Sequence, residues 1–322
     1  MEQKMKRNFF SLLHRLLIKT SYFRFKGKIL NSIWNKTWEY SINSYKGPID
    51  FKLHGELVEF NNGFAYPLFI NTYFSLNKPL VEIVSAVYRK KKQPITLIDI
   101  GAAIGDTMLL LFEKCPNMIE KFYCIDGDPE FFGYLENNLK KHKNGILIKA
   151  LLSDYSTDSE NQLVRTHLGT ASSQGINKTN AITLDELLLT KNNVTNVDLI
   201  KIDVDGLDGK IIAGAIKLIE KYKPVIIFEW HPILYVKTGN STSAPFLSLT
   251  EKGYTQFLFF DKLGNFNHLK FNPSVDEINM LSKLCLRNNF QEDWHFDIVA
   301  LNNWDDEIVL DLMEMKYSSK KS

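Results

Sequence analysis

Five runs in the middle of the chain are almost unbroken in apolar residues: ITLIDI (95–100), KFYCID (121–126), ILIKALL (146–152), VDLIKID (197–203) and PVIIFE (224–229). Strands that alternate apolar and polar side chains expose one face. Runs without alternation fit parallel strands covered on both. Most of the intervening segments read as helices. One opens at Asp128-Pro129, an N-cap followed by proline at the first helical position. Another, from Leu207 to Tyr222, carries Ile211, Ile212, Ala215, Ile216 and Ile219 on one side and stops before Pro224. Strand and helix in alternation predict an α/β fold with a Rossmann-like, doubly wound, mostly parallel sheet. YTQFLFF (254–260) and FDIVAL (296–301) complete it at seven strands.

The pattern differs on either side of this region. Residues 1–45 read as basic amphipathic helix broken near Gly27, in which Leu12, Leu13, Leu16, Leu17 and Trp34 are interspersed with Lys and Arg. Such a helix either packs on the domain or lies on an anionic membrane surface. FKLHGELVEF (51–60) alternates and predicts a small β element. The organisation expected is an N-terminal extension over 1–75, the main domain over 76–302 and a C-terminal tail over 303–322. Within the domain, residues 153–181 are polar and include GTASSQG (169–175). A segment of that length is expected to be either disordered or a lid over a site.

Charge sharpens this division. Net charge is only +2, yet residues 1–49 hold ten Lys/Arg against Glu2 and Glu39, a net +8, leaving −6 for the rest. A nucleic-acid enzyme more often carries its positive charge around its groove, so no nucleic-acid partner is expected. Three widely spaced cysteines, 115, 124 and 285, form no CxxC and fit a reducing compartment. No run reaches the ~20 apolar residues of a membrane span, and FFSLLHRLLI (9–18) is broken by His14 and Arg15 and lacks a cleavage signature. The location expected is cytoplasmic, with residues 1–45 available for peripheral contact at the inner membrane surface.

Candidate chemistry gathers at strand ends. In an open α/β sheet, ligands bind beyond the carboxyl ends of the strands where strand order reverses. The first strand ends LIDIGAAIGDT, which places Asp99, Gly101, Ala103, Gly105, Asp106 and Thr107 at a strand-to-helix turn. Glycine there lets backbone approach a ligand, and the helix start offers free N–H groups. A dinucleotide site would have three glycines spaced G-x-G-x-x-G. Here two glycines stand four apart between carboxylates, which would repel a diphosphate and suit a cation; S-adenosylmethionine, a sulfonium, fits better. Asp126, 27 residues after Asp99, can accept from both ribose hydroxyls, and Ser153 and Asp154 stand where an adenine would lie. Strands four and five end in Asp203-Val-Asp205 and Glu229-Trp230-His231, tips that parallel topology makes neighbours. Two mechanisms for activating a hydroxyl follow: His231 or Asp205 as general base, or Asp203 and Glu229 holding a divalent cation such as Mg²⁺.

In order, DIGAAIGDT, CIDGDPEFFGYLENN, ALLSD, TLDELL, VDLIKIDVDGLDGKIIAGA and KPVIIFEWH resemble the FkbM-type S-adenosylmethionine-dependent methyltransferases. The likeness covers about Ile95 to Phe260 and is most specific at KIDVDGLDGKIIAGA. It implies a class I methyltransferase that O-methylates a hydroxyl, with Asp203, Asp205, Glu229 and His231 around the transferred methyl and a saccharide or glycan precursor as acceptor. The chain departs from the family in having Ala103 for the usual Asn, and Asp126 and Asp205 for the usual Glu. A protein that keeps the cofactor pocket but serves in assembly or at a membrane surface is the alternative, and an NAD(P)-dependent oxidoreductase is disfavoured by the glycine spacing. Trp230, Tyr235, Phe64 and Tyr66 are candidates to stack on a sugar ring.

Overall fold

The computed structural model describes residues 2–73, 76–156, 164–167, 170–172, 181–287, 295–302 and 306–318. Helix α1 (Glu2–Lys19) and helix α2 (Lys28–Ser44) are separated by a short 3-10 turn, and Gly27 before α2 has φ 132°, a conformation that favours glycine. One row of α1, which includes Phe10, His14, Leu17 and Ile18, is buried. Trp34 of α2 stacks on Trp38 and donates through Nε1 to the Leu17 carbonyl at 3.0 Å. Next comes an antiparallel hairpin of β1 (Pro48–Leu53) and β2 (Glu56–Asn61). Its two-residue turn is His54-Gly55, with φ positive at both, as tight hairpins require. Arg7 of α1 forms ion pairs with Asp50 and Glu59, one on each strand. Ile49, Leu53 and Phe60 share a hydrophobic cluster with Leu97 of the central sheet, so the extension and the sheet have a common core.

After α3 (Tyr66–Thr72) and α4 (Lys78–Lys91) the central sheet begins. Its parallel body is β3 (Ile95–Ile100), β4 (Ile119–Asp126), β5 (Gly145–Lys149), β6 (Leu199–Ile202) and β7 (Val225–Trp230). Three antiparallel strands follow at one edge: β8 (Tyr254–Asp261), β9 (Phe266–Phe271) and β10 (Phe296–Asn302). The order across the sheet is β9-β8-β10-β7-β6-β3-β4-β5. Every residue of β3 and of β6 is buried. Successive side chains serve opposite cores: Leu97 belongs to one cluster, Ile98 to the other. From β3 the chain steps outward to β4 and β5, then returns to β6 on the other side of β3. That reversal opens a crevice beyond the carboxyl ends of β3 and β6.

The structure differs from the expectation in three places. The sheet has eight strands, because FNHLKF adds an edge strand whose half-exposed, polar-interrupted sequence gives little strand signal. The run 146–152 does not form one strand: β5 ends at Lys149, and Leu151–Leu152 pair instead with Ala181–Ile182. The helix expected over 207–222 is two, α7 (Asp208–Ala213) and α8 (Ile216–Tyr222). Between them a Cβ on Gly214 would lie 2.2 Å from the Ser153 carbonyl oxygen, so the backbones touch there. Most of the interval read as a lid or as disorder, including GTASSQG apart from 170–172, falls outside the described residues. Among the described residues no helix is long and apolar enough to cross a membrane.

Candidate functional site

A cavity of about 430 Å³ lies at the carboxyl ends of β3, β4, β6 and β7, in the crevice that the strand order predicts. Its floor is the turn after β3. A Cβ on Gly101 would stand 1.9 Å from the Asp203 carbonyl oxygen, so only glycine lets this turn meet the end of β6. Ala103 has φ 43°, a left-handed conformation rare for alanine, and its N–H donates to Asp126 Oδ2 at 2.8 Å. The other oxygen, Oδ1, accepts the Asp128 N–H at 2.8 Å. Asp128 in turn accepts the Glu130 and Phe131 N–H groups and caps α6 (Pro129–Leu139). Gly105 faces away: a Cβ there would meet Leu139 of α6, and its role is to start α5 (Asp106–Lys114).

The walls are strongly acidic. Asp106, Asp126, Asp128, Asp203, Asp205, Glu229 and Asp297 line the cavity against two lysines, Lys201 and Lys262. Lys201 is buried, with Nζ 3.2 Å from Asp203 Oδ2 and 3.4 Å from Asp99 Oδ1. Desolvation lowers its pKa, but Asp203, Asp99 and Asp106 outweigh that and hold the ammonium above its ordinary value. Asp99 is fully buried behind Lys201 and has no well-aligned hydrogen bond to either oxygen. Burial raises its pKa, opposed by Lys201. Burial likewise pushes Asp106 to about 7, with Asp99 adding to the effect. It pushes Asp205 to about 7, helped by Asp203, and Asp297 to about 7, again helped by Asp203. Asp126 rises to about 6, because burial outweighs the N–H donors of Asp128 and Ala103. Glu229 is raised well above the usual range by burial and by Asp203.

The extension supplies a further wall through Phe64 and Tyr66, joined by Asn77 just beyond it. The Tyr66 hydroxyl accepts from Asn77 Nδ2 at 3.0 Å and lies 3.3 Å from His54 Nε2. His54 Nδ1 is 3.0 Å from Glu113 Oε2, so a Glu113-His54-Tyr66 chain ends at the cavity. Burial lowers the His54 pKa and raises that of Tyr66.

Of the residues singled out in the sequence, Gly101, Ala103, Asp106, Thr107, Asp126, Asp203, Asp205 and Glu229 line the cavity. Asp99, Gly105, Ser153, Asp154 and His231 do not. Ser153 donates to Asp154 at 2.9 Å, while Ala150, Leu151 and Leu152 form the wall there. His231 is buried. Its Nδ1 accepts the Leu234 N–H at 3.5 Å and starts α9 (Pro232–Lys237). The imidazole at the cavity belongs to His295, stacked on His231 at 5.4 Å and with Nε2 3.7 Å from Glu229 Oε1. Trp230 and Tyr235 are fully buried in the core, away from the cavity. No group of three or more His, Cys, Asp or Glu is arranged to hold a metal among the described residues.

His295 and Asp297 carry no local signal. Asp297 reaches the site because β10 runs antiparallel to β7 with Asp297 opposite Glu229, a register that no short motif encodes. Lys201 looks like an ordinary strand-end partner of Asp203; its contact with Asp99 follows from the pairing of Lys201 with Asp99 across β6 and β3.

The family described as methyltransferase FkbM domain matches residues 99–280, more than half of the chain. No curated protein matches it. Solved structures that resemble it include methyltransferase FkbM from Methylobacillus flagellatus KT, 14% identical, covering 64% of this chain and 43% of that one at TM-score 0.40. Precorrin-6y C5,15-methyltransferase from Geobacter metallireducens GS-15 is 14% identical, with coverage of 69% and 87% and a TM-score of 0.35. TYW2 from M. jannaschii, in complex with AdoMet, is 13% identical, with coverage of 79% and 85% and a TM-score of 0.37. This chain thus spans less than half the length of the first of these three.

Proposed function

Because the chain belongs to the methyltransferase FkbM domain family, we propose that it moves a methyl group from S-adenosylmethionine to a hydroxyl, with a saccharide or glycan precursor as the acceptor. The observation that carries this reading is the surplus of carboxylates over lysines around a glycine-floored cavity. A dinucleotide brings two negative phosphates to such a floor, whereas a sulfonium and an ammonium bring positive charge. The residues fit that cofactor. Asp126 would hold the ribose hydroxyls, since each of its oxygens accepts one N–H and keeps a lone pair. Leu151, Leu152 and Phe131 offer an apolar slot for the adenine, and Asp106 and Asp203 a charged end for the amine. Asp99 would act from behind, by holding Lys201 in place.

When bound, the cofactor supplies an electrophilic methyl group. The chain's own part is to hold the acceptor oxygen in line and to take its proton. Asp205, with a pKa near 7, is a base matched to neutral pH. His295 beside Glu229 is a second acceptor, in the place the sequence had given to His231. We favour a general base because Asp205 and His295 both line the cavity and can take a proton. Phe64 and Tyr66 on the cavity wall offer aromatic faces to a sugar ring.

The test is calorimetry with S-adenosylhomocysteine followed by transfer of labelled methyl to fractionated glycans. Wild type is expected to bind and Asp126→Ala to lose about tenfold or more in affinity, on the order of one or two strong hydrogen bonds. Absence of binding by wild type ends the cofactor reading. Binding without transfer to any glycan fraction would favour the assembly role instead.

A further inference from the structure

Helix α1 is apolar on two opposite sides, and the fold accounts for only one. At about 100° per residue the row Met5, Phe9, Leu12 and Leu16 falls within one ~60° sector, opposite the row that contains Phe10, His14, Leu17 and Ile18. The second row is buried against the hairpin and α2. The first is exposed: Met5 66%, Phe9 55%, Leu12 66% and Leu16 56%. Lys4, Arg15 and Lys19 flank this row on one side and Lys6 on the other, all exposed. Helix α2 adds a second exposed apolar row, Ile29, Ile33 and Tyr40 with Lys36 beside it, about 110° around the helix from buried Trp34 and Ser41. Ten of the 22 large hydrophobic side chains that are exposed among the described residues fall between positions 5 and 40. An apolar row of that kind is costly in water unless something covers it.

We propose that α1 and α2 dock the protein peripherally on an anionic lipid bilayer. An amphipathic helix with a cationic rim lies in the plane of such a surface, its apolar row in the acyl boundary and its lysines among the phosphates. Charge selects this occupant over a second copy of the chain. Residues 1–49 carry a net +8, and a symmetric dimer through α1 would bring two such faces together. The contact is peripheral, since no described helix is long and apolar enough to cross the membrane. The opposite row of α1, held by Arg7 to Asp50 and Glu59, keeps the helix on the body of the protein while its outer row is engaged.

The test is co-sedimentation of the full chain with vesicles of phosphatidylcholine alone and of an equal mixture of phosphatidylcholine and phosphatidylglycerol. Wild type is expected to bind the mixed vesicles, to bind neutral ones far less, and to be released by salt. Phe9→Gln/Leu12→Gln/Leu16→Gln, which keeps good helix formers at exposed positions, and separately Lys4→Gln/Lys19→Gln/Lys36→Gln, should each weaken binding by about tenfold or more. Both variants should keep the wild-type melting temperature and the wild-type response to S-adenosylhomocysteine, so the result stands apart from the methyl-transfer reading. Failure of wild type to bind mixed vesicles overturns the proposal, as does undiminished binding by both variants. Concentration-dependent dimerisation in the ultracentrifuge that the apolar variant abolishes, with no vesicle binding, would assign the face to a second copy.

Discussion

Lys201 is a buried cation that meets Asp99, and it reaches Asp203 as well. Removing one member of such a group leaves buried charge without compensation, at a cost of about 3–5 kcal/mol. Lys201→Met should therefore lower stability by that order in urea denaturation, and Asp99→Asn in the same chain should restore part of it. If Lys201→Met alone is neutral, the ion pair does not hold the cavity floor. At this scale the sequence exposed the carboxylates, because Asp126 and Asp203 stand at the ends of apolar runs. It hid His295 and Asp297, which reach the cavity through contacts across long sequence separations.

The turns that join strand to helix decide which carboxylates face a ligand. Asp126 and Asp128 are two residues apart, yet Asp126 accepts from the turn after β3 while Asp128 caps α6. Loss of an N-cap side chain costs about 1 kcal/mol. Asp128→Ala is expected to lower stability by that amount while changing the affinity for S-adenosylhomocysteine less than Asp126→Ala does, as calorimetry and thermal melts on both variants will show. Equal losses of affinity would make Asp128 a ligand contact. The main strands and the cap of α6 were legible because each is a local pattern of burial period or capping chemistry. The break between α7 and α8 was not: the run from Ile211 to Ile219 keeps helical period, and what interrupts it is the Ser153 backbone packed on Gly214.

Taken as a whole, the cavity is a pH-sensitive charge. Asp106, Asp205 and Asp297 at about 7, and Asp126 at about 6, all lie above the unfolded value near 3.9. The folded state therefore binds more protons than the unfolded one between about pH 4 and 7, so these groups' contribution to stability falls as pH rises through that window and is level above it. A cation that binds the deprotonated cavity gains affinity over the same range. The ratio of S-adenosylmethionine to S-adenosylhomocysteine affinity should rise from pH 5 to pH 8, and Asp205→Asn should flatten the rise; a ratio that ignores pH would separate the cavity charge from sulfonium recognition. The sequence alone determined the parallel α/β class, the glycine turn with its flanking carboxylates, and the charge contrast between extension and body. These are written in neighbouring residues, where period, capping and charge act over a few positions. Tertiary structure decided that Asp99 lies behind Lys201, that His295 takes the place beside Glu229, that the extension walls the cavity, and that α1 leaves one apolar row uncovered. Each of those depends on which distant backbones come together, and burial there sets both the charge a carboxylate carries and the face a helix shows.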